Sequence, residues 1–293
     1  MGLCPNDAIR GTEMIKIRLL AENYARKRHM LAEHGLSIWI EKDNRSILFD
    51  TGQSDIFSLN AERVGVNISK AELLVLSHGH YDHTGGVPEF CRINHHAPVY
   101  IHQCAFQKRY YGKEESSRNI GIPWSKDRSN DMYIPNERLI VNKAPVKIDE
   151  DIVISGEIPS TVTFEDVPQN FYIDDGNGNL SQDMIIDEQM LLIKGNAGVY
   201  VFVGCSHAGI INCIKYAQKL FPDDKIAGVI GGMHLEGVPD IRLQLTIQHF
   251  VDMGIHTVIP LHCTGLLPIC EIKRFLKERC KMLTVGEEFI LEE

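Results

Sequence analysis

Leu73-Leu74-Val75-Leu76-Ser77-His78-Gly79-His80-Tyr81-Asp82-His83-Thr84-Gly85-Gly86 joins a short apolar run to a segment dense in metal-capable groups. The run is too short and too uniformly apolar for a surface helix, so it reads as a buried strand. Past its end, three imidazoles and one carboxylate fall within six consecutive positions, a density that packing does not explain. Neutral imidazole nitrogen and carboxylate oxygen suit zinc and related divalent ions. A loop at a strand's C-terminal edge can fold several of them around one point. The stretch therefore predicts a metal centre, and a binuclear one.

Outward from this stretch, strands alternate with helices. Ile15 to Leu20 and Leu36 to Ile40 read as strands. Arg45 to Phe49 follows the turn-like Lys42-Asp43-Asn44 as the second arm of a hairpin that ends in Asp50-Thr51-Gly52. Ile56, Leu59 and Val64 give Ser54 to Val64 a modest helical spacing, with Gly65 as a stop. Farther on, Met190 to Ile193 and Val199 to Val203 flank a hairpin turn and lead to Gly204-Cys205-Ser206-His207. A helix follows from about Ala208 to Leu220. Ile226 to Ile230 is a buried strand leading to Gly231-Gly232-Met233-His234, and Pro239 to Met253 is a capped helix. Thr257 to Ile259 runs toward His262-Cys263-Thr264-Gly265, Pro268 to Cys280 forms the last helix, and Leu283 to Leu291 finishes on an edge strand.

Two segments break this alternation. Tyr110 to Asn136 is polar, interrupted by Gly and Pro and scattered with aromatics, the composition of an inserted lid or specificity loop. Asp174-Asp175-Gly176-Asn177-Gly178-Asn179 lacks the spacing and terminal Glu of a calcium-binding EF-hand and reads as a turn.

The chain has 293 residues, of which 44% are hydrophobic and 24% charged, enough to bury a large core. Residues 1–13 read as a disordered leader and 14–293 as one domain carrying the insertion near 110–136. No apolar stretch approaches the roughly 20 residues of a membrane helix, and the N-terminus lacks a signal-peptide pattern, so a cytoplasmic protein is expected. A formal charge of −9 argues against nucleic acid as the main partner, because phosphate backbones need a basic footprint. Small charged substrates remain open, since a metal supplies its own positive field. The eight cysteines form no CxxC pair and read as reduced, mostly buried thiols.

The later histidines sharpen the metal reading. His207, His234 and His262, like His78, His80 and His83, follow short buried strands, and strand C-terminal edges are where open sheets gather ligands. His29, His95, His96, His102, His249 and His256 sit in polar or helical contexts and are not expected at the centre. Asp50 is expected to orient a ligand rather than bind metal, as supporting carboxylates do. His34 is expected to line the pocket, with Asn23 a weaker candidate.

Asp50-Thr51-Gly52, the His78-x-His80-x-Asp82-His83 element, a histidine after a hairpin and a last histidine after a late strand together resemble the metallo-β-lactamase superfamily of hydrolases. The resemblance spans roughly residues 15–293. It implies an α/β fold, an αββα four-layer sandwich with two mixed sheets packed face to face and helices outside. It also implies that His78 and His80 hold a first metal and that Asp82, His83 and His262 hold a second. In such a pair, about 3.5–4 Å apart, a bridging hydroxide is nucleophilic at neutral pH, and Asp82 orients it or takes up its proton. The common pattern places a histidine before the second-half hairpin and a bridging aspartate just after it. Here Asp183 and Asp187 precede the hairpin and Gly204-Cys205 follows it. Either His207 takes over as a ligand, the reading preferred here, or Cys205 fills the bridging position.

Ala32-Glu33-His34-Gly35-Leu36-Ser37, Gly204-Cys205-Ser206-His207-Ala208-Gly209-Ile210, Gly231-Gly232-Met233-His234-Leu235 and His262-Cys263-Thr264-Gly265 resemble one branch. It is named for 7,8-dihydropterin-6-yl-methyl-4-(β-D-ribofuranosyl)aminobenzene-5'-phosphate synthase. Three functions follow as expectations. The first is a hydrolase of a small-molecule ester, phosphoester or lactone, using Asp82 and His234 in catalysis. The second is a pterin-transferring synthase. The third is a metal-binding sensor without turnover. The cofactor expected is one or two divalent ions, zinc ahead of manganese, iron or nickel, and the substrate a small molecule, phosphorylated or pterin-like. Oligomeric state is open, with a homo-oligomer among the choices.

Overall fold

In a computed structural model, which describes residues 14–112, 117–124 and 134–291, the alternation read from the sequence becomes a layered α/β structure. The expected leader and parts of the expected insertion, 113–116 and 125–133, lie outside the described residues.

The first half runs β1 (Ile15–Ala21), β2 (Ser37–Lys42), β3 (Arg45–Phe49), α1 (Ile56–Arg63), β4 (Leu73–Val75), α2 (Tyr81–Thr84), α3 (Val87–Ile93) and β5 (Val99–His102). The middle holds short strands: β6 (Arg109–Tyr111), β7 (Arg118–Asn119), β8 (Leu139–Asn142), β9 (Val146–Lys147), β10 (Ile152–Ile154), β11 (Phe171–Asp174) and β12 (Leu180–Gln182). The second half continues through β13 (Leu191–Gly195), β14 (Gly198–Val203), α4 (Ile210–Leu220), β15 (Ile226–Gly232), α5 (Asp240–Asp252), β16 (Thr257–Leu261), α6 (Leu266–Leu276) and β17 (Glu288–Ile290).

One sheet has the order β17-β1-β2-β3-β4-β5-β8, antiparallel through β3 and parallel beyond it. The other has the order β16-β15-β14-β13-β10-β9, with β14, β15 and β16 parallel. The β2–β3 hairpin pairs Lys42 with Arg45 across Asp43 and Asn44. Asp43 at φ +55° is the left-handed residue that such a tight turn requires.

Burial patterns define the layers. Ile15, Ile17, Leu19, Ile38, Ile40, Ile47 and Phe49 of the first sheet meet Ile152, Ile154, Leu191, Phe202, Ile230 and Ile259 of the second between the sheets. Each such side chain contributes about 1.5–3 kcal/mol by leaving water. Phe57 and Ala61 of α1 and Val87 and Phe90 of α3 cover the outer face of the first sheet. Ile210, Ile214, Ile247, Phe250 and Ile272 from α4, α5 and α6 cover that of the second. The result is the αββα sandwich. Among the described residues, no helix is long and apolar enough to cross a membrane.

Three details depart from the sequence reading. The last helix ends at Leu276 rather than Cys280, where Lys277 turns left-handed at φ +52°. The final strand is only Glu288–Ile290, at the sheet edge. The larger difference is a third, antiparallel sheet, β12-β11-β6-β7, built partly from the segment read as an irregular insertion. Its strands are too short and polar to show a period, and Tyr111 finds its partner Phe171 only in the folded chain. Asp174–Asn179 is the turn between β11 and β12, with Asp174 and Asp175 carboxylates accepting backbone N–H groups.

Candidate metal centre

Five parallel strands, β3, β4, β14, β15 and β16, hand their next residues to one site. Beyond β4 the chain passes Ser77 and bends at Gly79, where a Cβ would stand 2.2 Å from the Ala105 carbonyl. Gly79 N–H donates to Asp187 Oδ2 at 2.7 Å, tying this loop to the approach to β13. α2 then places Asp82 and His83 on a first helical turn. Asp50 after β3, Ser206 after β14, His234 after β15 and His262 after β16 all have positive φ, between +46° and +57°. Four left-handed non-glycine residues at one edge are costly, about 1–3 kcal/mol each, and such strain gathers at functional sites.

Donor atoms converge in four groups, each with its members within 4.8 Å of one another: His78, His80 and His207; His78, His83 and Cys205; His34, Asp82 and His262; Cys205, His234 and Cys263. His78 Nε2 lies 2.9 Å from His80 Nδ1. Asp82 Oδ2 lies 3.2 Å from His34 Nε2, 3.3 Å from His262 Nε2 and 3.8 Å from His83 Nε2. His80 Nε2 and both ring nitrogens of His207 are buried without hydrogen-bond partners, and His262 Nε2 has only the Asp82 carboxylate beside it. Buried polar atoms are rarely left so, and several orphaned imidazole nitrogens facing one another fit a divalent cation. The structure thus places His34, His78, His80, Asp82, His83, Cys205, His207, His234 and His262 in these groups. His207 and Cys205, weighed as alternatives, are both present, in different groups. His102 departs from its expected polar context, being buried at the end of β5 with Nε2 unpartnered.

Electrostatics divides the imidazoles. Burial holds His78, His80 and His207 well below the ordinary histidine range, in the neutral form a metal requires. Burial also acts to lower His83, but Asp82 and Asp50 outweigh it and raise that ring to about 9. Burial works against ionised Asp82, yet His83, His262 and His34 hold it well below the usual carboxylate range. Burial pushes the Cys205 thiol up.

A supporting layer orients these groups. The Asp50 carboxylate, fully buried, accepts from Ser77 N–H and Oγ–H and from His83 Nδ1, each at 2.7 Å. Asp50 thus contacts His83, one of the donors. Asn23 Oδ1 lies 2.9 Å from His262 Nδ1, and Glu22 accepts from His262 N–H at 2.8 Å. Glu188 accepts from the N–H groups of His207 and Ala208, both at 2.7 Å, and burial raises its carboxyl to about 7. Asp187 and Asp183 pair with buried Arg109. Sequence reading missed Glu22, Glu188, Ser77 and Arg109. Glu188 carried one signal, a carboxylate in a run of acids just before an apolar strand.

The donors face a cavity of about 360 Å³ whose other walls include Tyr81, Tyr111, Arg118, Phe171 and Glu236. Phe171 stacks on His80 at 5.4 Å and meets His207 edge-on at 5.3 Å. The Arg118 guanidinium lies 5.2 Å from the Tyr111 ring centre. Tyr111, Phe171 and Arg118 belong to the third sheet, so that sheet forms one wall of the cavity.

Comparison with known proteins agrees with this architecture. The sequence model of the Metallo-beta-lactamase superfamily matches residues 31–176. An uncharacterized protein of Methanocaldococcus jannaschii is 35% identical over 261 residues, covering 88% of this chain and 94% of its own length. The same organism's 7,8-dihydropterin-6-methyl-4-(beta-D-ribofuranosyl)-aminobenzene-5'-phosphate synthase is 30% identical over 282 residues, covering 93% of this chain and 95% of its own. A crystal structure described as a metal-dependent hydrolase of the beta-lactamase superfamily superposes with a TM-score of 0.79 at 26% identity, covering 95% of this chain and all of that one. The metallo-beta-lactamase fold protein YhfI of Bacillus subtilis, at 12% identity and a TM-score of 0.54, shares the fold over 95% of this chain and 100% of its own. By its motifs, its sandwich and these relatives, the chain belongs to the metallo-beta-lactamase superfamily.

Proposed function

We propose that the protein is a metal-dependent hydrolase of a small-molecule ester, phosphoester or lactone. The observation that carries this reading is the set of orphaned, buried imidazole nitrogens of His80 and His207, which line one cavity together with Asp82 and His262. His78, His80 and His207 would hold one ion; Asp82, His83 and His262, with Cys205 beside them, would hold the other. Zinc suits these donors best, with manganese, iron and nickel as alternatives that cellular supply decides. When bound, such a pair supplies Lewis acidity and brings the ionisation of water to near neutral pH.

The chain's own groups do the rest. Asp82, kept ionised, accepts a proton at Oδ2 from water entering between the donor groups. His234, whose ring centre lies 4.5 Å from that of His207, donates a proton to the departing oxygen. Phe171, Tyr111 and Tyr81 exclude solvent and flank a planar group, while Arg118 balances a substrate anion.

A second reading, pterin transfer, is favoured by that same aromatic wall with its adjacent guanidinium and by the synthase among the relatives. There the substrate's carbon–oxygen bond breaks, pyrophosphate leaves with the electron pair, and a ring carbon or nitrogen of a second substrate bonds to the same carbon and releases a proton.

Metal-loaded protein is expected to hydrolyse chromogenic phosphodiesters or lactones, with turnover removed in Asp82→Ala. No turnover of any of these classes at full loading, combined with tight calorimetric binding of a dihydropterin pyrophosphate, moves the assignment to transfer. Absence of that binding removes the transfer reading.

A further inference from the structure

Cys205 belongs to two donor groups. On one side its Sγ faces His83 Nε2 at 3.2 Å, within the His and Asp centre. On the other it groups with His234 and Cys263, all three donor atoms lying within 4.8 Å. Cys263 holds neither of the two ions assigned under the proposed function.

Several features build this second group. Gly232, the second glycine before His234, clears space for sulfur, since a Cβ there would stand 2.6 Å from Cys263 Sγ. The three strand-end loops are fastened together. Ser206 Oγ donates to the Gly232 carbonyl at 2.7 Å, Met233 N–H donates to Thr264 Oγ1 at 3.0 Å, and Cys263 Sγ donates to the Cys205 carbonyl at 3.5 Å. His234 is held in left-handed backbone at φ +46°, and its Nδ1 is buried with no partner. A left-handed residue whose buried Nδ1 lacks a partner is costly to keep beside two sulfurs unless something binds there. All three side chains line the cavity, so a solute can reach them.

We propose that Cys205, His234 and Cys263 form a thiolate-rich cation site adjoining the His and Asp centre, selective for a thiophilic or borderline divalent ion such as zinc over a hard ion such as manganese. Two sulfurs and one imidazole nitrogen match that class, and an open fourth position faces the cavity. Tetrahedral zinc bonds of about 2.0–2.3 Å place donors roughly 3.3–3.8 Å apart, so the present spacing needs only small side-chain rotations. On ligation each thiol releases its proton to solvent. The shared Cys205 sulfur links this site to the neighbouring centre. The site stands whether the reaction is hydrolysis or transfer; where its ion is bound, His234 is a ligand and does not serve as the proton donor of the hydrolytic reading.

The test uses cadmium and cobalt as probes added to the metal-free full chain. Cadmium-edge X-ray absorption of the saturated protein is expected to show two sulfur scatterers. Cobalt protein is expected to show thiolate-to-cobalt charge-transfer absorption that falls to about half in Cys263→Ser, one sulfur in place of two. His80→Ala is expected to keep the sulfur signal while losing an equivalent of metal from the His and Asp centre. A single sulfur scatterer with absorption unchanged in Cys263→Ser overturns the site, because Cys205 then serves the neighbouring centre alone. Nitrogen and oxygen scatterers only, with hydrolysis intact, overturn it and leave the proposed function standing.

Discussion

At the residue scale, the side chains that orient the donors are as buried as the donors themselves. Asp50 accepts from Ser77 twice and from His83 Nδ1, which leaves Nε2 as the only nitrogen of His83 free to ligate. Asp50→Asn keeps the shape but presents an amide, able to donate where the carboxylate accepted, and removes the charge that makes the imidazole a stronger base. Metal affinity is expected to fall by roughly 10–100-fold with secondary structure unchanged. Competition titration against a chromophoric chelator reads this directly, and an unaltered affinity would show that Asp50 only caps its loop. The role of Asp50 was legible because it sits at a strand end in Asp50-Thr51-Gly52. The role of Glu22 was not. Its partner His262 lies more than two hundred positions away, and nothing local marks a carboxylate after β1 as a backbone acceptor for the loop after β16.

At the element scale, the strands that deliver ligands announced themselves as short apolar runs followed by histidine, because both faces of those strands are buried. The third sheet did not. Each of its strands has between two and four residues, and its stability comes from pairing across distant sequence. Its small core, Ile120, Phe171 and Ile185 with Tyr81 and Tyr111 packed on it, becomes visible only after folding. Under the proposed function its contribution is concentrated at Phe171, which stacks on His80 and would form the face a planar substrate meets. Aromatic pairing contributes about 0.5–1.5 kcal/mol beyond area burial, so Phe171→Ala is expected to weaken binding of an aromatic ligand by about tenfold. Affinity for an aliphatic lactone should change less. Isothermal titration with a matched aromatic and aliphatic pair checks it, and equal losses for both would mean that Phe171 only fills space.

At the scale of the whole molecule, the site is a seam. His78, His80, Asp82 and His83 come from the first sheet, while Cys205, His207 and His262 come from the second, so an ion held as proposed would join the two halves. Ions that bind the folded chain alone stabilise it by mass action, about 4 kcal/mol at a thousandfold excess over Kd. That corresponds to a rise in Tm of roughly 5–15 °C for a chain of this size. The gain should depend on pH. In the metal-free fold His83 is raised to about 9 from an ordinary 6.5. Its protonation therefore stabilises that fold fully below about pH 6.5, and the contribution is lost as pH rises through about 9. Glu188 acts in the same sense at lower pH: raised from 4.5 to about 7, it stabilises fully below 4.5 and loses that effect as pH passes 7. Ligation runs the other way for His83, because the metal must displace its proton, and binding strengthens as pH rises. Between about pH 6.5 and 9 the chelated protein is thus expected to lose stability while the loaded protein holds or gains it. The difference in Tm between the two should widen across that interval. Calorimetric scans with and without chelator, run at closely spaced pH values in buffers that do not bind metal, measure this gap. A gap that stays constant or narrows toward pH 9 would mean that His83 takes no part in holding the ion.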